Sequence, residues 1–278
     1  CSMWAVDLGG MQENVGQFAF SGVLSLLLAA YALTLPACPV SHAAERKSVV
    51  EALGLRAFTL FRQKRMALFF IFSMCLGICL QITNGFASPF IFSFGGIPEY
   101  ADTFGVQHAN ILISISQISE TFCILLIPFF LGRFGIKRVM LIAMLAWVFR
   151  FGFFALGNPG SGVWLFVLSM LVYGVAFDFF NVSGSLFVDK ETDISIRSSA
   201  QGLFMMMTNG LGATIGTLSA QAVINRFVYA LPETASGQEV IAGWNTCWYI
   251  FAAYALVVAA LFAIFFKYKH VVKDECGR

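Results

Sequence analysis

Four stretches of this chain, residues 14–44, 66–98, 198–225 and 240–266, contain no Asp, Glu, Lys or Arg. A helix needs about 20 mostly apolar residues to cross the hydrocarbon of a bilayer, so each stretch is long enough to span it. Three further segments hold one charge apiece: 109–131 around Glu120, 139–157 around Arg150 and 163–188 around Asp178. Seven transmembrane helices follow, in an all-α integral membrane protein. The cuts between them fall at turn-forming sequence, notably Gly95-Gly96-Ile97-Pro98, Asn158-Pro159-Gly160-Ser161-Gly162 and Leu231-Pro232 through Ser236-Gly237. Composition agrees. Soluble domains carry about 25% charged residues, whereas this chain has 12%, with 59% hydrophobic residues and a mean hydropathy of +0.80. A soluble domain, a disordered chain, a collagen and a nucleic-acid binder are all excluded.

The chemistry-bearing residues narrow the class further. The seven cysteines are scattered and form no C-x-x-C pair, so neither a disulfide framework nor a zinc site is expected. His42, His108 and His270 all fall at or beyond the ends of apolar segments, which leaves no imidazole inside a span for a metal or for a hydrolytic Ser or Cys. The last span, 244–266, has no lysine that could carry a retinal Schiff base. Neither an enzyme nor a retinal-type receptor is expected, and no cofactor or metal is required.

Basic residues mark the cytoplasmic side of a membrane protein. Of the 17 Lys and Arg, one set of connections holds Arg46, Lys47, Arg56, Arg62, Lys64, Arg65, Arg133, Lys137, Arg138, Lys190, Arg197, Lys267, Lys269, Lys273 and Arg278. The opposite set holds only Arg226. The N-terminus is therefore expected outside and the C-terminus in the cytoplasm. Residues 1–36 read as an outer segment and one helix, 37–65 as a basic cytoplasmic linker, 66–266 as a six-helix unit and 267–278 as a cytoplasmic tail. The chain opens at Cys1 rather than at a methionine, and a fragment is expected.

Acids near the bilayer centre cost about 2.5–3.5 kcal/mol on insertion scales, so they tend to be retained for use. Glu120 and Asp178 both lie near the middle of their spans. Burial disfavours the charged form of a carboxyl, so either acid can take up and release a proton. The alternative is a neutral carboxyl, or an arginine-paired strut between two helices. Gln117 precedes Glu120 by three residues, which places both on one helical face with Ser114 a turn back. Gln81 and Asn84 repeat the i, i+3 device on the second span. On the fifth, Tyr173 and Phe177 stack at i, i+4, with Asp178 and Asn181 at i, i+3. Amides, carboxyls and aromatic faces at one depth suit a polar, uncharged solute containing a planar ring, and a nucleoside fits. Isolated amides can instead bond helix to helix, worth about 0.6 kcal/mol each.

Other features take plainer readings. Most of the 31 phenylalanines are expected to pack or to face lipid. Gly212 and Gly216 form a G-x-x-x-G and predict close helix packing. Arg150 is expected to snorkel outward rather than meet a solute, with an acid partner as the alternative.

Several strings resemble the nucleoside:proton symporters of the major facilitator superfamily, the bacterial nucleoside permeases. They are Lys64-Arg65-Met66-Ala67 leading into Phe69-Phe70-Ile71-Phe72-Ser73-Met74, Leu80-Gln81-Ile82-Thr83-Asn84, and Ser114 through Glu120. Ile127-Pro128-Phe129-Phe130-Leu131, Arg133-Phe134-Gly135-Ile136-Lys137, Tyr173 through Asn181 and Arg197-Ser198-Ser199-Ala200-Gln201-Gly202 continue the match. The Arg133–Arg138 stretch is also similar to the superfamily loop R-x-G-x-[RK]-[RK], with Gly132 in the usual place of an acid. The resemblance implies twelve helices in two six-helix halves, of which this chain would be the sixth helix and the C-terminal half, its N-terminal half missing. It implies proton-coupled nucleoside uptake across the bacterial inner membrane by alternating access, with the lipid bilayer, a nucleoside and a proton as partners and no nucleic acid. It also implies that Gln81, Asn84, Gln117, Glu120, Tyr173, Phe177 and Asp178 line the pocket. Asp178 is assigned the proton and Glu120 the sugar hydroxyls, although coupled acids can exchange such roles. A symporter of the same superfamily for a sugar or other small metabolite is the alternative.

Overall fold

The structure is a computed structural model that describes residues 9, 15–36 and 54–268. Residues 37–53 of the expected linker, and the tail beyond 268, lie outside the described residues. Two compact units divide the chain at Val49–Val50. In the first, α1 (Gly16–Ala32) is a 17-residue apolar helix with no buried residue, at the short end of what spans a bilayer.

The second unit holds the long helices. The described end of the linker is not loop throughout. Leu55–Arg62 forms a 3₁₀ helix with Ala57 and Leu60 buried, and Phe61 packs on Phe70 at 5.3 Å. Helix α2 (Lys64–Ser93) follows, and two one-turn helices, Pro98–Ala101 and Phe104–Gln107, lead into α3 (Ala109–Leu156). At 48 residues a straight α3 would measure about 72 Å, more than twice the ~30 Å hydrocarbon thickness. It is not straight. Gly135 has φ 74° and ψ 164°, a conformation nearly confined to glycine, and it splits α3 into limbs 109–134 and 136–156. The break falls where Arg133, Lys137 and Arg138 separate the third predicted span from the fourth.

Helix α4 (Val163–Glu191) is followed by one helical run from 197 to 229. That run comprises α5 (Arg197–Met205), a π segment (Met206–Gly212), α6 (Ala213–Ile224) and a second π segment (Asn225–Tyr229). Helix α7 (Gly237–Phe265) closes the unit behind a Ser236–Glu239 capping box. Lys64–Gly96, α3, α4 and α7 are each long and apolar enough to cross a membrane. With α3 counted as two limbs and 197–229 as one rod, the described part of this unit holds six long helical segments.

Packing explains how polar residues survive in the middle. Near one end of α2 the Phe90 ring lies 5.2–5.9 Å from those of Phe94, Phe154, Phe166, Trp244 and Trp248. Near the other, Phe69 lies 4.8–6.3 Å from Phe180, Phe187 and Phe204. By helical rise Phe69 and Phe90 are about 30 Å apart, so two aromatic clusters bracket the section of α2 that carries Gln81 and Asn84. The G-x-x-x-G reading holds. A Cβ added at Gly212 would lie 2.6 Å from the Met74 carbonyl oxygen, and one at Gly216 2.9 Å from the Ile78 Cα. Backbone rests on backbone there. Tyr254 Oη donates to the Cys75 carbonyl at 3.0 Å, tying α7 to α2.

At the basic end, Arg65 pairs with Glu191 at 3.1 Å, Gln201 donates to Asp189 at 2.8 Å and Lys137 donates to the Ala263 carbonyl at 3.2 Å. Side chains widely separated in the chain therefore gather the cationic connections at one end of the bundle.

Candidate functional site

Between the aromatic clusters α2, both limbs of α3 and α4 enclose a cavity of about 420 Å³, lined by Thr83, Asn84, Ser116, Gln117, Arg150 and Tyr173 among others. Its rim is polar and open: the Asn84 and Gln117 side chains are exposed. Its floor is buried, with Thr83 3%, Ser116 4%, Tyr173 8% and Arg150 1% exposed.

Local sequence accounts for the wall. Glycine at 174 lets α4 approach α3 so closely that a Cβ there would lie 2.8 Å from the Ser119 carbonyl oxygen. Ser119 Oγ donates to the Leu171 carbonyl across the same contact, and Ser116 Oγ to the Met170 thioether at 3.1 Å. This pairing turns Tyr173 toward the cavity. The Tyr173 and Phe177 rings stack at 5.8 Å with 8° between their planes, as their i, i+4 spacing predicts. Trp147 meets Tyr173 edge-on at 5.8 Å.

Of the seven residues singled out in the sequence, Asn84, Gln117 and Tyr173 line this cavity. Gln81 is half-buried one turn earlier on α2, where a Cβ on Gly216 would lie 3.2 Å from its own Cβ. It borders the α2–α6 contact. Phe177 backs Tyr173. Glu120 is half-buried one turn beyond Gln117, and Asp178 is 6% exposed. Asp178 Oδ2 is buried without a hydrogen-bond partner among the described residues.

Arg150 does not snorkel. Its Nη1 donates to the Ser169 carbonyl at 2.6 Å and its Nε to Thr83 Oγ1 at 3.4 Å. The Ser169 hydroxyl returns a bond to the Arg150 carbonyl at 3.0 Å. The guanidinium carbon lies 4.4 Å from the Tyr173 ring centroid and 5.3 Å from that of Phe154, a double cation–π contact. The reason is facial: Trp147 and Phe154, at i−3 and i+4, are fully buried, so the arginine shares their inward face. That helical neighbourhood was the available signal. Ser88 and Asn110 also line the cavity. They were legible as i+4 from Asn84 and i−7 from Gln117.

The sequence pattern of the nucleoside H+ symporter family matches residues 1–271. The chain is 50% identical to the xanthosine permease of Escherichia coli (strain K12) over 270 residues, covering 97% of this chain and 62% of the permease. It is 51% identical to the nucleoside permease NupG of the same strain over 271 residues, covering 97% and 63%. A crystal structure of the nucleoside transporter NupG superposes with a TM-score of 0.79 at 51% identity, covering 96% of this chain and 64% of that one. An aspartate-to-alanine variant of NupG superposes with a TM-score of 0.83 at 50% identity, covering 95% and 64%. The chain thus spans somewhat less than two thirds of the length of these relatives. A bundle that keeps amides, an arginine and two acids at mid-depth, together with this match along nearly its whole length, places the chain in the nucleoside H+ symporter family.

Proposed function

We propose that the protein containing this chain carries nucleosides inward with protons across the bacterial inner membrane by alternating access. The observation that carries the reading is the mid-depth cavity of about 420 Å³ with Asn84, Gln117 and Tyr173 in its wall. A nucleoside is neutral, planar at one end and hydroxylated at the other. An aromatic face and directional amides answer both ends.

In this reading the six helices within 66–266 form one half of the transporter, joined through the 37–65 linker to the helix within 1–36, and the 267–278 tail lies in the cytoplasm. A facing half, of the kind that the longer relatives have room for, closes over the exposed Asn84 and Gln117. Substrate and proton enter from outside, the halves rock about the midplane, and both leave inside. Asp178 carries the proton. A bare carboxylate with an unmatched oxygen is costly to hold away from water, and protonation removes that cost as the site crosses the dry midpoint. Glu120, beside Gln117, accepts from the sugar hydroxyls. Gln81 supports Asn84 from the preceding turn and Phe177 holds the Tyr173 ring. The basic end of the bundle faces the cytoplasm, which puts the N-terminus of this chain outside.

The test is uptake of labelled nucleoside by the full-length protein in liposomes under an imposed inward proton gradient. Accumulation that collapses with the gradient, and that excess uridine or adenosine competes away, supports the reading. A carrier that ignores excess nucleoside and takes up a sugar overturns it.

A further inference from the structure

The guanidinium at the cavity floor is under-satisfied. Arginine offers five N–H donors, and a buried cation is tolerated when its donors and its charge are matched. Here Nη1 has the Ser169 carbonyl, and Nε has the Thr83 hydroxyl at a long 3.4 Å. Nη2 meets only the Met170 thioether at 3.9 Å, a weak acceptor beyond ordinary hydrogen-bond length. No ion pair joins Arg150 to Glu120 or Asp178 among the described residues. The side chain is 1% exposed, yet it lines the cavity. The residue that carries these unspent donors therefore borders the space a solute would fill.

We propose that Arg150 is the specificity-determining residue for the base of the nucleoside, donating to a carbonyl oxygen or ring-nitrogen acceptor that the base turns toward the cavity floor. The assignment rests on the nucleoside reading above and deepens it. Every other polar side chain of the lining, the Asn84, Asn110 and Gln117 amides and the Thr83, Ser88, Ser116 and Tyr173 hydroxyls, can both donate and accept. Such groups tolerate either partner. Arginine only donates, so it sets polarity: a solute presenting donors or bare hydrocarbon to the floor leaves the cation unmatched, and one presenting an acceptor completes it. The guanidinium is immobilised in advance by the Ser169 carbonyl and by the Tyr173 and Phe154 rings, so little ordering remains for the solute to impose. The hydroxylated sugar then points to the rim, toward Gln117 and Glu120.

Uptake by the full-length protein in liposomes, driven by a proton gradient, tests this with three solutes: uridine, its shape-matched riboside bearing 2,4-difluorotoluene in place of uracil, and 3′-deoxyuridine. The wild type should favour uridine over the difluorotoluene riboside by at least about tenfold in KM. Arg150→Met should bring those two within about threefold of each other while keeping the preference for uridine over 3′-deoxyuridine, and Arg150→Lys should fall between. Equal wild-type handling of uridine and the difluorotoluene riboside overturns the proposal without recourse to any variant. So does an Arg150→Met protein that keeps base discrimination, or one that loses base and sugar discrimination together, as a mere strut between helices would. A wild type that takes up none of the three defeats the nucleoside reading itself, whereas uridine uptake without base discrimination defeats only the role of Arg150.

Discussion

At the scale of single residues, exposure separates two kinds of polar group in this bundle. Asn84 and Gln117 are exposed on the cavity rim, so truncation there removes the proposed solute contacts without opening a packed core. Gln117→Ala is expected to raise KM for nucleoside by about 3- to 10-fold, one net hydrogen bond, and to shift stability by no more than about 0.5 kcal/mol. Uptake kinetics and a melting curve in detergent check the two halves of that statement. Asp178 is the contrasting case, 6% exposed with one carboxyl oxygen unmatched. Asp178→Asn keeps the shape and removes the titration. Concentrative uptake should fall by at least about tenfold and lose its dependence on external pH, while exchange of internal for external nucleoside at equal pH persists. A variant that still accumulates substrate against its gradient moves the proton to Glu120 or elsewhere.

Among elements, glycine decides where helices meet and where they break. Thr208 of the π segment has its carbonyl where a Cβ on Gly77 would stand, so Gly77→Ala must push α2 away from the 197–229 rod. A loss of about 1–3 kcal/mol is expected from such overpacking, read as a lower melting temperature in detergent, with the reciprocal Gly212→Ala behaving alike. Gly135→Ala acts through the backbone instead. With φ 74° and ψ 164° at that position, the substitution should cost about 1–3 kcal/mol. Its other expected signature is weakened insertion of the two α3 limbs as separate spans, seen as loss of protein from the membrane fraction. Apolar length alone did not show how α3 turns. The charges of Arg133, Lys137 and Arg138 separated the two spans, and only the backbone angles reveal that Gly135 makes the break.

For the whole molecule, the gathering of cationic connections at one end predicts sidedness. In a cysteine-free background, a single cysteine replacing exposed Ser195 should react with an impermeant maleimide only after the cells are opened. One replacing exposed Thr234, in the connection after Arg226, should react from outside. The reverse pattern inverts the proposed orientation.

Several levels of this architecture were written in local sequence. Uncharged runs announce helices that must satisfy their own backbone groups in lipid, and i, i+3 spacing puts Gln117 and Glu120 on one face. The basic connections sort to one side because charge transfers poorly across hydrocarbon. None of these depends on a distant residue. Membership of the cavity wall does. Gln81 and Asn84 look equivalent along α2, but helix packing turns one to the α2–α6 contact and the other to the cavity. Its sequence made Arg150 look like an outward-reaching cation, but Thr83 of α2 and Ser169 and Tyr173 of α4 hold it at the floor. Periodicity specifies which face of a helix a residue occupies, whereas what that face meets depends on contacts between helices far apart in the chain, and those belong to the tertiary structure alone.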